Sequence, residues 1–195
     1  MEGNPCETFF REHADDKDKV KKLIACGQGD EWAAARLTAS IHSPKPLSDR
    51  ELVVRQLHSP VHWDSGVLKP GFYADLSNKG LSLNRLDVGD AEALDQSSET
   101  RASSKQGRTA LGFLVCTVGE IERLLRGAPE YSGGLFDTAL EHDASHADAC
   151  QTQGVDKAAA RAMKEALYQG LKESFFTGTL QDYLKSSAKS ADADE

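Results

Sequence analysis

The chain lacks the features that would assign it to several broad protein classes. None of its 195 residues belong to an apolar run close to the roughly 18 residues that a membrane-spanning helix needs. The four cysteines form no CxxC pair, which excludes a disulfide framework or zinc knuckle and indicates a reducing compartment. The N-terminal MEGNPCETFFREHADDKDK is acidic where a secretory signal has a basic start and an apolar core, so we expect a cytoplasmic protein.

Net positive charge and nucleotide-binding motifs are missing as well. The formal net charge of −8 disfavours non-specific binding to nucleic acid. Neither GxGxxG nor GxxxxGK[ST] occurs, and no cofactor is predicted. One local exception is a modestly basic segment with Arg101, Lys105, Arg108, Arg123 and Arg126. Glutamates at 120 and 122 dilute it, which favours ordinary solvated surface over contact with a phosphate or an acidic partner.

The residue pattern predicts an α+β fold, in which a small mixed β-sheet core has an N-terminal helical hairpin and a long C-terminal helix. Residues 1–47 form the predicted helical extension and residues 48–178 the core domain. Residues 179–195 are expected to form a short helix and a disordered acidic tail.

The N-terminal extension is predicted from helical spacing and from its breakers. Residues 1–15 are polar and expected to be irregular, anchored by Phe9 and Phe10. A helix from Asp16 is stopped by Gly27. A second helix is expected from an Asp30 N-cap to Ile41, and it offers three residues for burial: Trp32, Leu37 and Ile41.

The core is predicted from alternating and apolar runs. Strands are expected at LVVRQL from Leu52, at Val67-Leu68, and at LSLNRL, ALGFLVCTV, LFDTAL and HADAC. Thr117 is the predicted N-cap of a short helix, and the longest helix is expected from Val155 through DKAAARAMKEALYQGLKESFF. Residues 88–109 lack apolar periodicity and are expected to form a long loop with one helical turn.

Two histidine pairs have the spacing of helical metal ligands. His58 and His62 are four residues apart, as are His142 and His146. Pro60 interrupts the first pair, and the second spans a turn into a strand, so neither pair is expected in the helical geometry that a shared metal requires. No metal site is predicted, and local hydrogen bonding of the histidines is favoured.

Arg55 is the first candidate for a ligand-binding residue. Strand alternation places it on one face with Val53 and Leu57, where a guanidinium needs a carboxylate, a phosphate or backbone carbonyls. A structural ion pair with Asp137 or Glu120 is favoured over recognition of an anionic ligand.

Three further ligand-binding candidates are Ser82, Asp137 and His146. Ser82 follows a glycine turn but lies outside any GxSxG motif, so catalysis by its hydroxyl is not favoured. Asp137 begins the polar part of LFDTAL, and His146 begins the strand HADAC.

Three short elements, L-x-R…P, G-h-S (where h is a hydrophobic residue) and D-x-x-L…S/A-H-A, belong to a pattern that extends over five segments. These are LVVRQLHSPVHW, SGVLKPGFYAD, NKGLSLNRL, LGFLVCTVGEIERLL and LFDTALEHDASHADAC. They resemble a group of small bacterial proteins of unassigned function, over about residues 52–150. The resemblance implies shared polar and turn positions at Arg55, Pro60, Phe72, Ser82, Asp137 and His146. A short polar residue is usual in that group where this chain has His142, which further disfavours a metal.

Two classes of function follow from these patterns. The favoured one is a non-catalytic accessory protein of a bacterial system that binds a protein partner, because no group of residues has both the type and the spacing that a known mechanism requires. The alternative is a nucleotide-handling enzyme. It rests on a fold-level analogy to ADP-ribosyltransferase-like folds, in which an arginine or histidine, a serine and an acidic residue follow one another along the chain. Arg55, Ser82 and Glu120 occur in that order here.

Overall fold

The computed structural model describes residues 4–191, apart from the side chains of Pro70 and of residues 188–191. Within that range the α-helices are α1 (Pro5–Glu12), α2 (Lys19–Cys26), α3 (Gly29–Ala34), α4 (Ala91–Ser103), α5 (Val118–Leu125), α6 (Lys157–Leu171) and α7 (Leu180–Ala191), and a 3₁₀ helix covers Pro70–Ser77. The strands are β1 (Leu52–Ser59), β2 (Trp63–Asp64), β3 (Val67–Leu68), β4 (Leu81–Arg85), β5 (Thr109–Thr117), β6 (Gly133–Phe136), β7 (His146–Gln151) and β8 (Phe175–Thr177). No helix in the described range is long and apolar enough to cross a membrane.

Six of the strands form one sheet in the order β6-β7-β4-β1-β5-β8, and every pairing is antiparallel. The predicted α+β class, with helices at both ends of the chain, is confirmed. The apolar run predicted as a central strand is β5, which pairs with β1 on one side and β8 on the other. Thr117 caps α5 as predicted, in a reciprocal capping box with Glu120.

The two faces of the sheet are covered differently. One face packs against α5, α6 and the 3₁₀ helix and contributes nine strand residues to the largest apolar cluster: Val53, Leu57, Leu81, Leu83, Leu114, Cys116, Leu135, Ala147 and Ala149. On the opposite face Val54, Phe113 and Val115 pack with α4 and α7, whereas Phe136 and Cys150 pack with α1–α3. Alternation along β4 turns Ser82 and Asn84 toward this opposite face, so a polar strip separates its two clusters.

The predicted loop at residues 88–109 is wrong, because α4 occupies most of it. Asp90 caps the helix by accepting a hydrogen bond from the backbone N–H of Ala93 at 2.9 Å. The buried stripe of α4 is Leu94, Ser98 and Ala102. Two of these three residues are small or polar, so the stripe has no apolar periodicity for sequence analysis to detect.

The N-terminal predictions are confirmed in part. Phe9 and Phe10 are buried as expected, but they lie on α1 and not in an irregular segment. The helix ending at Gly27 is confirmed as α2, with Gly27 in the left-handed conformation. The second helix is much shorter than predicted, because the backbone leaves helical geometry at Arg36, with φ of +49°.

The residues of the second predicted helix that were expected to be buried differ in their exposure. Trp32 is buried, whereas Ile41 lies beyond the end of α3 and is 69% exposed.

The C-terminal predictions need two corrections. The predicted long helix ends at Leu171, and Phe175–Thr177 instead pairs with β5 as β8. The final helix is also longer than the one or two turns expected, since α7 reaches Ala191. The predicted disordered tail falls mainly on residues 192–195, which lie outside the described range.

A buried ionic triad joins the end of β4 to the segments around it. Arg85 is fully buried, and its Nε donates to Glu51 Oε1 at 2.7 Å while its Nη1 donates to Asp137 Oδ2 at 2.7 Å. The same guanidinium donates to the carbonyl oxygen of Lys45 at 2.9 Å. Burial raises the pKa of Asp137, although the neighbouring Arg85 opposes that shift. Arg85 therefore fixes the long 35–51 connection to the sheet.

Replacing Arg85 by alanine is expected to lower the free energy of unfolding by about 3–5 kcal/mol, because Glu51 and Asp137 would remain buried without their counter-charge. Urea denaturation of the wild type and the variant measures this loss. Arg123→Ala, on the exposed side of α5, is the matched control and should change stability by no more than about 0.5 kcal/mol. Equal stability of the two variants would contradict a structural role for the triad.

Candidate functional site

A groove of about 480 Å³ lies over the polar strip, between the first two helices and strands β4 and β7. Its polar residues include Lys19, Ser82, Thr138, His146 and Asp148. Six apolar residues also line it, Phe10, Ala14, Ala39, Ile41, Ala139 and Leu140, and so do seven further charged ones, Glu7, Arg11, Asp15, Asp16, Lys17, Lys79 and Glu141. Two of the four predicted ligand-binding residues, Ser82 and His146, therefore meet in one open groove.

A buried ion pair forms the centre of the groove floor. Lys19 Nζ lies 2.6 Å from Asp148 Oδ2, and the two side chains are 7% and 2% exposed. Burial alone would lower the pKa of Lys19, but the Asp148 carboxylate outweighs it and the pKa is raised. Lys19 is thus charged at neutral pH, and it also lies over the ring of Phe10 at 5.7 Å from the centroid.

Asp148 receives two further hydrogen bonds from the groove floor. Thr138 Oγ1 donates to its Oδ2 at 3.2 Å, and Ser82 Oγ donates to its Oδ1 at a longer 3.5 Å. Gly80 allows this arrangement, because its φ is +92° and a Cβ there would lie 3.0 Å from the Asp148 carboxyl carbon. The predicted glycine turn before β4 therefore has a second use, which is to leave room for the carboxylate.

His146 is tied to the same network through Thr138. Its Nδ1 lies 3.0 Å from Thr138 Oγ1 and 3.2 Å from the carbonyl oxygen of Thr138. Since a carbonyl oxygen only accepts hydrogen bonds, Nδ1 is the nitrogen that donates to it. Nε2 lies 4.0 Å from Asp148 Oδ1, beyond hydrogen-bonding distance.

This arrangement holds a carboxylate firmly but does not activate a nucleophile. The hydrogen bond of Ser82 goes to a carboxylate that already accepts from Lys19 and Thr138. A base that removes a proton from a serine needs lone pairs free for that proton and must lie within about 2.6–3.2 Å. Among the described residues, Lys19, Thr138 and Ser82 thus all donate to Asp148, while Nε2 of His146 has no hydrogen-bond partner.

Arg55 lies outside the groove and fills a gap between two strands. β1 and β4 pair only at Val53 with Arg85 and at Val54 with Asn84, and then they separate. In the gap Arg55 Nη1 donates to the carbonyl oxygen of Ser82 at 2.8 Å, and Nη2 donates to that of Phe72 at 3.1 Å. The guanidinium also lies 4.8 Å from the centroid of the Phe72 ring.

The ion pair predicted for Arg55 is wrong, because within the described range neither Asp137 nor Glu120 pairs with it. Burial lowers the pKa of Arg55 to about 10, so the guanidinium is still charged at neutral pH. It donates to one carbonyl oxygen on β4 and one in the 3₁₀ helix, and so connects both segments to β1.

Asp137 is also outside the groove, bound to Arg85 on the opposite side of the sheet. The histidine pairs do not sit on helices. His58 and His62 stack at the end of β1 with ring centroids 5.6 Å apart, and His142 is an exposed turn residue before His146. In the described part of the chain, no three His, Cys, Asp or Glu side chains are placed to hold a metal, and the absence of a metal site stays a prediction.

Lys19, Thr138 and Asp148 were not predicted as site residues from the sequence. A weak signal existed for Lys19, because it precedes Leu23 by four residues and therefore shares the buried stripe of α2. Alternation in HADACQ likewise places Asp148 on the same face as the buried Cys150. Each residue is thus a charge at an apolar position, which requires a partner.

Replacing Arg55 by methionine is expected to destabilise the protein by about 1–3 kcal/mol, because two buried carbonyl oxygens lose their donor. Arg55→Lys keeps the charge, but a single ammonium cannot span both carbonyls, so it should also be destabilising. Urea midpoints report both changes, with Arg50→Met as the exposed control. An unchanged midpoint for Arg55→Met would show that the guanidinium is free for a ligand.

No protein-family model, curated protein or solved structure matches this chain. The resemblance to small bacterial proteins over about residues 52–150 therefore stays a prediction. Function has to be argued from the geometry of the groove and from the charges around it.

Proposed function

We propose that the protein is a non-catalytic accessory protein of a bacterial system, that it acts in the cytoplasm, and that it binds a protein partner through the groove. The observation that carries this proposal is the floor of the groove, in which Asp148 accepts hydrogen bonds from Lys19, Thr138 and Ser82. A floor of this kind offers a partner a shaped surface with a fixed dipole, but it does not activate the Ser82 hydroxyl for covalent chemistry. The four free cysteines are consistent with a reducing compartment.

The chemistry of the groove favours a basic and partly apolar occupant. Asp15, Glu141 and Lys17 are exposed at the groove and have no ion-pair partner among the described residues, so the unpaired charge there is net negative. The rim also exposes Ile41, which is 69% accessible. Since the whole chain carries a net charge of −8, an extended partner segment with an apolar side chain next to lysine or arginine is the occupant that fits.

The alternative of a nucleotide-handling enzyme requires Arg55, Ser82 and Glu120 to face one ligand. The guanidinium of Arg55 is occupied by the carbonyls of Ser82 and Phe72, and Glu120 is occupied in the capping box of α5. Only Ser82 lines the groove. The geometry therefore supports partner binding better than it supports that chemistry.

Site-specific photo-crosslinking in the source cells tests partner binding. With benzoylphenylalanine at Ile41, we expect one partner to crosslink through a basic, partly apolar peptide that mass spectrometry identifies. The same photoreactive residue at the exposed Ala158 on α6 is the control and should not capture that peptide. With the purified partner, Ile41→Asp should weaken binding at least about tenfold, because it replaces an apolar rim contact by a charge.

Two results would contradict the proposal. One is the same set of crosslinked proteins at both positions, which would mean that the groove selects nothing. The other is turnover of a nucleotide, such as release of nicotinamide from NAD, that is lost in Ser82→Ala while Ile41→Asp retains it. That result would favour the enzyme.

A further inference from the structure

Three cations of the basic segment lie away from the groove, and ion pairs among the described residues do not neutralise their charge. Arg101 and Lys105 are exposed at the end of α4 and just beyond it, and Arg108 directly precedes β5. Within residues 4–191, none of these three side chains has an ion-pair or hydrogen-bond partner, although acidic residues outnumber basic ones by 31 to 23. An acidic protein with three unpaired cations in one place has a local positive charge that its own surface does not balance.

The fold brings these cations to the end of β1. His58 Nε2 lies 3.2 Å from the carbonyl oxygen of Ser98, one helical turn before Arg101. Thr109, which follows Arg108, pairs with Ser59 at the end of β1. The end of α4 and the start of β5 therefore flank the same strand end, with Arg101 contributed by one and Arg108 by the other.

Two guanidinium nitrogens near this strand end are buried without an acceptor. Arg108 is half-buried, and its Nε has no hydrogen-bond partner among the described residues. The Nε of Arg55, further back along β1, is in the same condition. A buried N–H donor without an acceptor is unfavourable, so Arg108 is an arginine that the described chain does not satisfy.

The charge of the arginines reaches both histidines at the strand end. Burial, followed by the charges of Arg55, His58 and Arg108, lowers the pKa of His62 to about 3. Burial likewise lowers the pKa of His58, with Arg108, Arg101 and Arg55 acting in the same direction. Both imidazoles are therefore neutral at pH 7, and the positive charge comes from the guanidinium groups alone.

We propose that Arg101 and Arg108 form a binding site for a phosphate monoester, with Lys105 at its rim. Guanidinium groups bind phosphate oxygens through paired, charge-assisted hydrogen bonds, and neither of these two guanidinium groups has an acceptor among the described residues. This site is separate from the groove and does not depend on the groove having a partner.

Calorimetric titration with inorganic phosphate at pH 7.5 and low ionic strength tests the site directly. The wild type should bind one phosphate, and Arg108→Met and Arg101→Met should each weaken binding at least about tenfold. Arg123→Met and Arg161→Met remove the same charge elsewhere, from exposed positions on α5 and α6, and should leave the affinity within about twofold. Arg101 is exposed, so its variant reports on binding even where loss of Arg108 also affects stability.

Parallel titrations with O-phosphoserine and adenosine monophosphate identify the source of the phosphate group. The ester that binds more tightly than free phosphate is the one whose organic part the site also recognises. Two outcomes would overturn the proposal. One is no heat of binding up to about 10 mM phosphate, a concentration at which even a weak specific site fills. The other is an equal loss of affinity in all four arginine variants, which would show general electrostatic attraction and not a site.

Discussion

The buried pair of Lys19 and Asp148 is the interaction on which the groove depends. It joins α2 to β7 across 129 residues of sequence, so it connects the N-terminal helices to the sheet. Removing two charges from water costs several kcal/mol per ion, and such a pair is tolerated only when the remaining lone pairs are satisfied. Thr138 and Ser82 provide those hydrogen bonds, and Gly80 leaves the space for the carboxylate. The polar character of the groove floor thus follows from the need to keep one carboxylate buried.

Buried arginines make similar connections on the other side of the sheet. Arg85 joins Glu51 and Asp137 around the end of β4, and Arg55 fills the gap where β1 and β4 separate. Groups of the protein itself bind both guanidinium groups: two carboxylates bind Arg85, and two carbonyl oxygens bind Nη1 and Nη2 of Arg55. Arg101 and Arg108 differ from these two, because their side chains have no internal partner among the described residues; Arg101 is exposed and Arg108 is half-buried.

Much of the architecture was predictable from local pattern, whereas the pairings between distant residues were not. The strand β1, the Thr117 cap and the Gly27 stop depend on alternation, capping and left-handed geometry, which short segments encode. The helix α4 was missed because its buried stripe contains serine and alanine. Ser82 and His146 were predicted only as separate candidates, and both line the groove. Arg55 is bound by backbone carbonyls, which every residue carries and no sequence pattern marks.

Native-state hydrogen exchange of Lys19→Met is the most direct test of the claim that one buried ion pair holds the groove together. Amides of α1 and α2 should exchange at least about 100-fold faster than in the wild type, while those of β5 keep most of their protection. Lys22 lies on the same helix as Lys19, and Lys22→Met removes its exposed ion pair with Asp16. This variant should leave the exchange rates of both regions nearly unchanged. Equal protection of α1 and α2 in Lys19→Met and the wild type would contradict the claim, because the helices would then be held by apolar packing alone.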